Sequence, residues 1–152
     1  MDANDPKSRF YARTMHTPDD PSRAKLRAAL RELSKALIPL HRRLIEEAKS
    51  DYAFAHGPVE SPSRLLQLLQ GDPFFDWLKP ITTLIVDIDE MTRTDFAEEA
   101  AREIGARADR FFGAEADEAF AARYRPILQR DVDVAIGHAG VRQCLQKLKI
   151  EN

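Results

Sequence analysis

The residues of this sequence best suited to acid–base or metal chemistry are one histidine and two neighbouring aspartates. His41 lies at the edge of an apolar stripe, and Asp87 and Asp89 flank an apolar isoleucine. An imidazole beside a carboxylate can exchange a proton or bind a divalent metal. However, no two of the four histidines lie three or four residues apart, and no Glu-x-x-His pair occurs. We therefore expect no metal and no cofactor, and these three residues form only a candidate polar site.

A row of arginines is the second candidate. Arg23, Arg27 and Arg31 recur every fourth residue, so they share one face of a helix. Residues 20–50 carry eight Lys/Arg and four Asp/Glu, whereas residues 87–103 carry seven Asp/Glu and two Arg. A solvated face with a few weak ion pairs is the simplest interpretation of this pattern, and a surface for an anion or an acidic partner is the functional one. Alternatively, the basic and acidic segments pair with each other, within one molecule or between two.

Signals for covalent catalysis are weak. The chain has no Gly-x-Ser-x-Gly motif and no glycine-rich phosphate loop. Its single cysteine, Cys144, lies among apolar positions, where a buried and inert thiol is expected. We predict that the protein is not an enzyme and has no catalytic residues.

A C-terminal motif resembles a nucleic-acid-binding element. Residues 134–141, VAIGHAGV, followed by Leu145, are similar to the turn of bacterial helix-turn-helix repressors. Residues 123–150 also carry six Lys/Arg against two Asp. The pair Arg142-Gln143 departs from the usual Ser-x cap of that motif. The resemblance implies DNA binding through a degenerate motif, which we keep as a further alternative without favouring a nucleic-acid partner.

The composition is that of a globular domain rich in helix-forming residues. The chain has 152 residues, of which 43% are hydrophobic and 32% charged, and its formal net charge is −2. This length corresponds to about one domain with its own core. No apolar run approaches the roughly 20 residues of a membrane span, and no apolar leader opens the chain. With one cysteine, we expect a cytoplasmic protein without a membrane partner.

Capping signals divide the chain into helices. We predict a flexible polar tail over residues 1–19 and a single helical domain over residues 20–152. Asp20-Pro21, Ser61-Pro62 and Asp72-Pro73 each combine an N-cap residue with a proline at the first helical position. The predicted helices cover about 20–56, 61–71, 72–91, 94–113, 115–128 and 139–149. The fourth begins at a Thr94-Asp95 cap, and the expected fold class is an all-α antiparallel bundle of four main helices plus two short ones.

The first helix is predicted to be long, leucine-rich and kinked. Leucines at 26, 30, 33, 37, 40 and 44 follow the spacing of a coiled-coil seam, too short for a dimer, which favours packing inside a bundle. Pro39, Pro80 and Pro126 lie within helical patterns, where each proline costs about 3 kcal/mol. Because the residues before them are poor N-caps, we favour kinks over new helix starts. The kinks either bend helices around the core or leave an internal cavity for a small apolar ligand.

The segment DPFFDWLKP at 72–80, with DIDE at 87–90, resembles a stretch of small bacterial helical proteins of unassigned function. The resemblance implies a bacterial all-α protein and no particular activity. The function that the sequence favours is a non-enzymatic protein-interaction, adaptor or regulatory module that binds a protein partner or itself. The alternative is a bundle that binds a small apolar ligand in an internal cavity.

Overall fold

The computed structural model describes the backbone of residues 20–151 and the side chains of residues 20–149, and the regular secondary structure of this part of the chain is entirely helical. The all-α class is therefore confirmed, while the predicted tail over residues 1–19 lies outside the described residues. Within the described residues, no helix has the length and apolar character needed to cross a bilayer. The elements are α1 (Pro21–His56), α2 (Pro62–Gly71), a 3₁₀-helix (Pro73–Leu78), α3 (Lys79–Thr92), α4 (Glu98–Phe112), α5 (Glu118–Arg130) and α6 (Val132–Glu151).

Three of the predicted helix starts are confirmed. The side chains of Asp20, Ser61 and Asp72 each accept a hydrogen bond from a backbone N–H two or three residues further on, at 2.8 to 3.1 Å. Each bond satisfies one of the donors that the first turn of a helix leaves without a partner. α1 ends at His56, and the next residue, Gly57, has a φ of +92°, in a region that favours glycine.

One predicted kink is wrong. The segment after Asp72 is not one helix, because the 3₁₀-helix ends at Leu78 and α3 begins at Lys79 with Pro80 in its first turn. Pro80 therefore begins a helix, since the N–H that it lacks would have no helical acceptor at that position. Pro39 and Pro126 do lie inside helices, α1 and α5.

The predicted cap of α4 is also wrong. α4 begins at Glu98, after Ala97, and no side chain caps it. The Thr94 hydroxyl instead lies 3.4 Å from the carbonyl oxygen of Glu90 and 3.5 Å from that of Met91, both in α3. Thr94 thus hydrogen-bonds to the last turn of α3. A residue type that is common at helix N-termini here lies at the C-terminal end of a helix.

The largest departure from expectation lies at the C-terminal end. α6 begins at Val132 rather than near residue 139, because the Asp131 side chain accepts the N–H of Val134 at 3.0 Å and caps the helix there. Gly137 and Gly140 lie within this one helix, so the turn implied by the helix-turn-helix resemblance does not form. A Cβ on Gly137 would meet the Leu40 side chain at 3.3 Å, so this glycine allows α1 and α6 to approach closely.

α6 is the helix against which α1, α4 and α5 pack, and α1 also packs along α3. All six leucines of the predicted seam in α1 are buried, at 2% exposure or less. Burial of a leucine side chain contributes about 1.5–3 kcal/mol, so the seam is a principal part of the core. Residue 131 lies beside Arg43 and residue 137 beside Leu40, so α6 runs antiparallel to α1. The leucine seam is thus satisfied within one molecule.

Candidate functional site

The three residues of the candidate polar site have three separate partners. His41 Nε2 lies 2.8 Å from the hydroxyl of Thr82, which joins α1 to α3. Asp87 forms an ion pair with Arg107 of α4 at 2.8 Å, and Asp89 pairs at 3.0 Å with Arg93, the residue that follows α3. Burial lowers the pKa of His41, which favours the neutral imidazole. Among residues 20–149, no three His, Cys, Asp or Glu side chains are grouped so that they could hold a metal ion.

The arginine row fastens α1 to the end of α3. The Arg27 guanidinium donates to the carbonyl oxygens of Thr92 at 2.5 Å and Thr94 at 3.0 Å, and Arg31 donates to Thr92 at 3.3 Å. Arg27 also lies over the ring of Phe96, 5.0 Å from its centroid. The last carbonyls of a helix lack helical donors and carry partial negative charge, which guanidinium groups satisfy. The spacing of the arginines predicts that they share one face of α1. It does not predict that they bind the C-terminal end of α3.

The guanidinium of Arg142 is used in the same way at the end of α4. Its Nη1 donates to the carbonyl oxygen of Phe112, the last residue of α4, at 2.9 Å. Arg142 therefore points toward the body of the protein and not outward, as a DNA-contacting residue would. This contact and the continuous α6 both differ from the helix-turn-helix expectation.

The acidic segment borders an open groove between α3 and α4, which we call the acidic groove. Its volume is about 650 Å³. The residues that line it are Asp87, Glu90, Met91, Thr94, Asp95, Phe96, Ala100, Glu103, Ile104 and Arg107. The floor is apolar, with Phe96 8% and Ile104 2% exposed. The walls carry four carboxylates and one guanidinium, a formal charge of −3.

The carboxylates of this groove differ in how firmly they are paired. Asp87 is held by Arg107, as described above. Asp95 lies 3.9 Å from a guanidinium nitrogen of Arg23, and Glu103 lies 3.9 Å from its arginine partner, distances at the outer limit of an ion pair. Within the described chain, the Glu90 carboxylate has no ion-pair partner. In this part of the chain Glu90 is thus unpaired, and Asp95 and Glu103 are paired only loosely, which leaves these carboxylates accessible to a cationic partner.

A second depression, the apolar groove, lies between α1, α2 and α3. It has a volume of about 510 Å³. Its lining residues are His41, Ile45, Leu66, Leu69, Gln70, Phe75, Leu78, Lys79, Thr82 and Thr83. Leu66 at its edge is 55% exposed. None of the three prolines is among its lining residues, and the link between proline kinks and a cavity stays a prediction.

A cluster of charged residues at the α5–α6 junction was not anticipated from the sequence. Arg43 of α1 donates to one carboxylate oxygen of Asp131 from Nε at 3.0 Å and from Nη2 at 2.7 Å. Arg130 donates to Glu47 at 3.1 Å and to Asp51 at 2.9 Å. Hydrogen bonds lower the pKa of Asp131, and the bond from Arg43 has the largest effect. The hydrogen bond between Glu47 and Asp131 raises the pKa of Glu47. In the sequence, the one sign of the α5–α6 junction is Asp131, a residue type common at helix N-caps, which lies between two helical patterns.

The remaining groups with possible reactivity lie in or next to the core. The Tyr124 hydroxyl lies 2.8 Å from Nδ1 of His138, in an aromatic cluster with Phe112 and Phe120. Burial raises the pKa of Tyr124 and lowers that of His138. Burial is also the main cause of the raised pKa of the half-buried Cys144 thiol, which reduces its thiolate fraction.

Comparisons with protein-family models, curated proteins and solved structures give no match for this chain. The resemblance to small bacterial helical proteins therefore stays a prediction. The arguments about function that follow rest on the geometry of the grooves and on charge.

Proposed function

We propose that this protein is a non-enzymatic interaction module that binds a basic, aromatic-containing segment of a partner protein in the acidic groove. The observation that carries the proposal is the combination of an apolar floor with walls of formal charge −3. Such a surface pairs with a peptide that alternates Lys or Arg with Phe or Tyr. The predicted bacterial source and cytoplasmic location belong to the same proposal.

The two parts of the groove have different roles in recognition. The carboxylates of Glu90, Asp95 and Glu103 are exposed, so each pair with a peptide cation contributes roughly 0.2–1 kcal/mol and mainly sets specificity. Full burial of an aromatic side chain contributes about 1.5–3 kcal/mol, and a ring laid over Phe96 and Ile104 in this open groove gains only part of that. After the cost of ordering the peptide, we expect a Kd on the order of 1–100 μM.

The rest of the described chain supports a scaffold role. Arg27 and Arg31 hold the end of α3, so one wall of the groove is fixed to α1. We infer that the helices form the predicted antiparallel bundle, with α1 bent near Pro39. The histidine hydrogen bonds of the described residues, to Thr82 and Tyr124, join helices to each other and do not align a nucleophile.

The test is fluorescence anisotropy with a labelled synthetic peptide in which arginines alternate with phenylalanine and tyrosine. We expect saturable binding that weakens as salt rises. The double substitution Glu90→Gln with Glu103→Gln should raise the Kd about tenfold, which is about 1.4 kcal/mol. The matched control is Glu46→Gln with Glu60→Gln, two exposed glutamates outside the groove with the same change in net charge.

Three results would contradict the proposal. The first is no binding by the unmodified protein at high micromolar concentration. The second is an equal loss of affinity in the control variant, which would indicate a general charge effect. The third is equal binding of a peptide in which glutamates replace the arginines.

A second candidate function is the binding of a small apolar ligand in the apolar groove, favoured by the hydrocarbon lining from Ile45, Leu69 and Phe75. A long-chain fatty acid should then raise the melting temperature of the protein but not that of a Leu69→Asp variant. An unchanged melting temperature for the unmodified protein would count against it.

A further inference from the structure

The sequence of this chain contains a segment with the composition that the acidic groove requires. Residues 7–13, KSRFYAR, carry three basic side chains, no acidic ones, and the adjacent aromatic pair Phe10 and Tyr11. Acidic residues occur on both sides of this segment, at Asp5 and at Asp19, so its positive charge is local. We propose that residues 7–13 occupy the acidic groove of their own chain and compete there with the partner segment. This inference rests on the proposed function of the groove.

The position of the α1 N-terminus brings the segment within reach. Arg23, in the first turn of α1, lies 3.9 Å from Asp95 on the wall of the groove. Arg13 is separated from Asp20 by residues 14–19, which span up to roughly 25 Å when extended. The groove wall from Asp87 to Thr94 is about 10 Å long, at 1.5 Å per residue of helix. The connection is therefore long enough for the segment to lie anywhere along the groove.

Charge complementarity selects this segment as the occupant. Its three cations match the formal charge of −3 on the groove walls, and one aromatic ring is available for the apolar floor. Two arginines of the row at the N-terminal end of α1 already have partners, since Arg27 and Arg31 bind the carbonyl oxygen of Thr92. By contrast, the residues that follow the segment, 14–19, contain no Lys or Arg.

Docking within one chain has a predictable effect on partner binding. A short tether holds its segment at an effective concentration on the order of 1 mM. If the segment alone binds with a Kd near 100 μM, it occupies the groove about nine-tenths of the time. The apparent affinity of the groove for an added peptide is then reduced about tenfold. The segment would thus act as an autoinhibitory contact that a tighter-binding partner displaces.

Disulfide trapping in the full chain tests the docking directly. In a Cys144→Ala background, Phe10→Cys is combined with Ala100→Cys, a position that lines the groove. The distance control combines Phe10→Cys with Ala55→Cys, an exposed position at the far end of α1. Ala55 lies about 52 Å along the helix from Asp20, whereas the connection from residue 10 spans at most about 36 Å. We expect rapid intramolecular cross-linking of the first pair only.

A second comparison separates docking from simple proximity. The substitutions Arg9→Glu and Arg13→Glu leave the reach of the segment unchanged but reverse its charge. They should slow cross-linking of residues 10 and 100 at least fivefold and abolish its dependence on salt. Equal rates with and without the charge reversal would overturn the inference.

Binding of the added peptide distinguishes the inference from the proposed function. If both are right, the Arg9→Glu, Arg13→Glu protein binds the labelled peptide about tenfold more tightly than the unmodified chain. Equal affinities of the two proteins would overturn autoinhibition while leaving the groove a binding site. If neither protein binds the peptide, the proposed function fails, and autoinhibition fails with it even where cross-linking shows the segment in the groove.

Discussion

Replacement of Asp131 by alanine is predicted to destabilise the protein substantially. Asp131 is the only residue between α5 and α6, and it is 7% exposed. One of its carboxylate oxygens caps α6 through the N–H of Val134, and the other accepts both hydrogen bonds from Arg43. Alanine removes the cap of α6 and leaves the Arg43 guanidinium without its main partner. Both the start of α6 and the attachment of the junction to α1 are therefore weakened.

The size of the effect follows from these contacts. Loss of an N-cap costs about 1 kcal/mol, and loss of charge-assisted hydrogen bonds costs about 1.5–3 kcal/mol. The Arg43 side chain is 45% exposed and has Glu47 as a second partner at 3.6 Å, so the lower part of that range applies. We expect a total loss of about 2–3 kcal/mol in the free energy of unfolding. For a chain of this length, this corresponds to a decrease in Tm of roughly 5–10 °C.

Urea unfolding followed by circular dichroism provides the measurement. Asp131→Asn keeps a capping side chain and loses the charge, so it should recover about 1 kcal/mol relative to alanine. Asp133→Ala is the matched control, because Asp133 lies in the same first turn but is exposed, and its replacement should cost less than about 0.5 kcal/mol. If the Asp131→Ala and Asp133→Ala proteins have equal stability, the proposed role of the junction is refuted.

Two further predictions concern α6. Gly140→Ala should raise the free energy of unfolding by about 0.5–1 kcal/mol in urea titrations, because apart from the adjacent residues and the nearby backbone of α6 no atom lies within 4 Å of the new Cβ, and alanine favours helix. Gly137→Ala should gain less stability, because its Cβ meets the Leu40 side chain at 3.3 Å. Destabilisation by Gly140→Ala would instead indicate a turn at that position. Since burial lowers the pKa of His138, the unfolded chain binds the proton more readily, so stability should fall as pH decreases through the normal histidine pKa of about 6.5. The stability difference between about pH 7.5 and about pH 5.5 should be smaller in His138→Asn, and an equal difference in both proteins would show that His138 is not responsible.

Local signals in the sequence predicted several elements well. The combinations of cap residue and proline located the starts of α1, α2 and the 3₁₀-helix, and Gly57 located the end of α1. These signals depend on hydrogen bonds between residues two to four positions apart, so they are readable without a fold. The leucine seam in α1 also identified the buried face correctly, because helical periodicity places those residues on one side.

The candidate sites were harder to predict. The acidic segment over 87–103 was recognised from composition, but the groove depends on how α3 and α4 pack and on Phe96 between them. The arginine row of α1 was interpreted as a partner surface or, alternatively, as a partner of the acidic segment. In the structure, Arg23 lies 3.9 Å from Asp95 of that segment, while Arg27 and Arg31 bind a backbone carbonyl about 60 residues away in sequence. Backbone carbonyls carry no sequence signature, so such contacts are invisible in the residue pattern.

The sequence by itself determined the helical class, the buried leucine face of α1 and the helix starts whose caps are local. The tertiary structure decided where α3, α4 and α6 begin and which charges remain open to a partner. Asp131 illustrates the difference, because it caps α6 with a local bond while Arg43, 88 residues away, holds its other oxygen. Groups that are distant in sequence meet only when the core leucines bring their helices together, and that packing determines whether a charge serves the fold or stays available for binding.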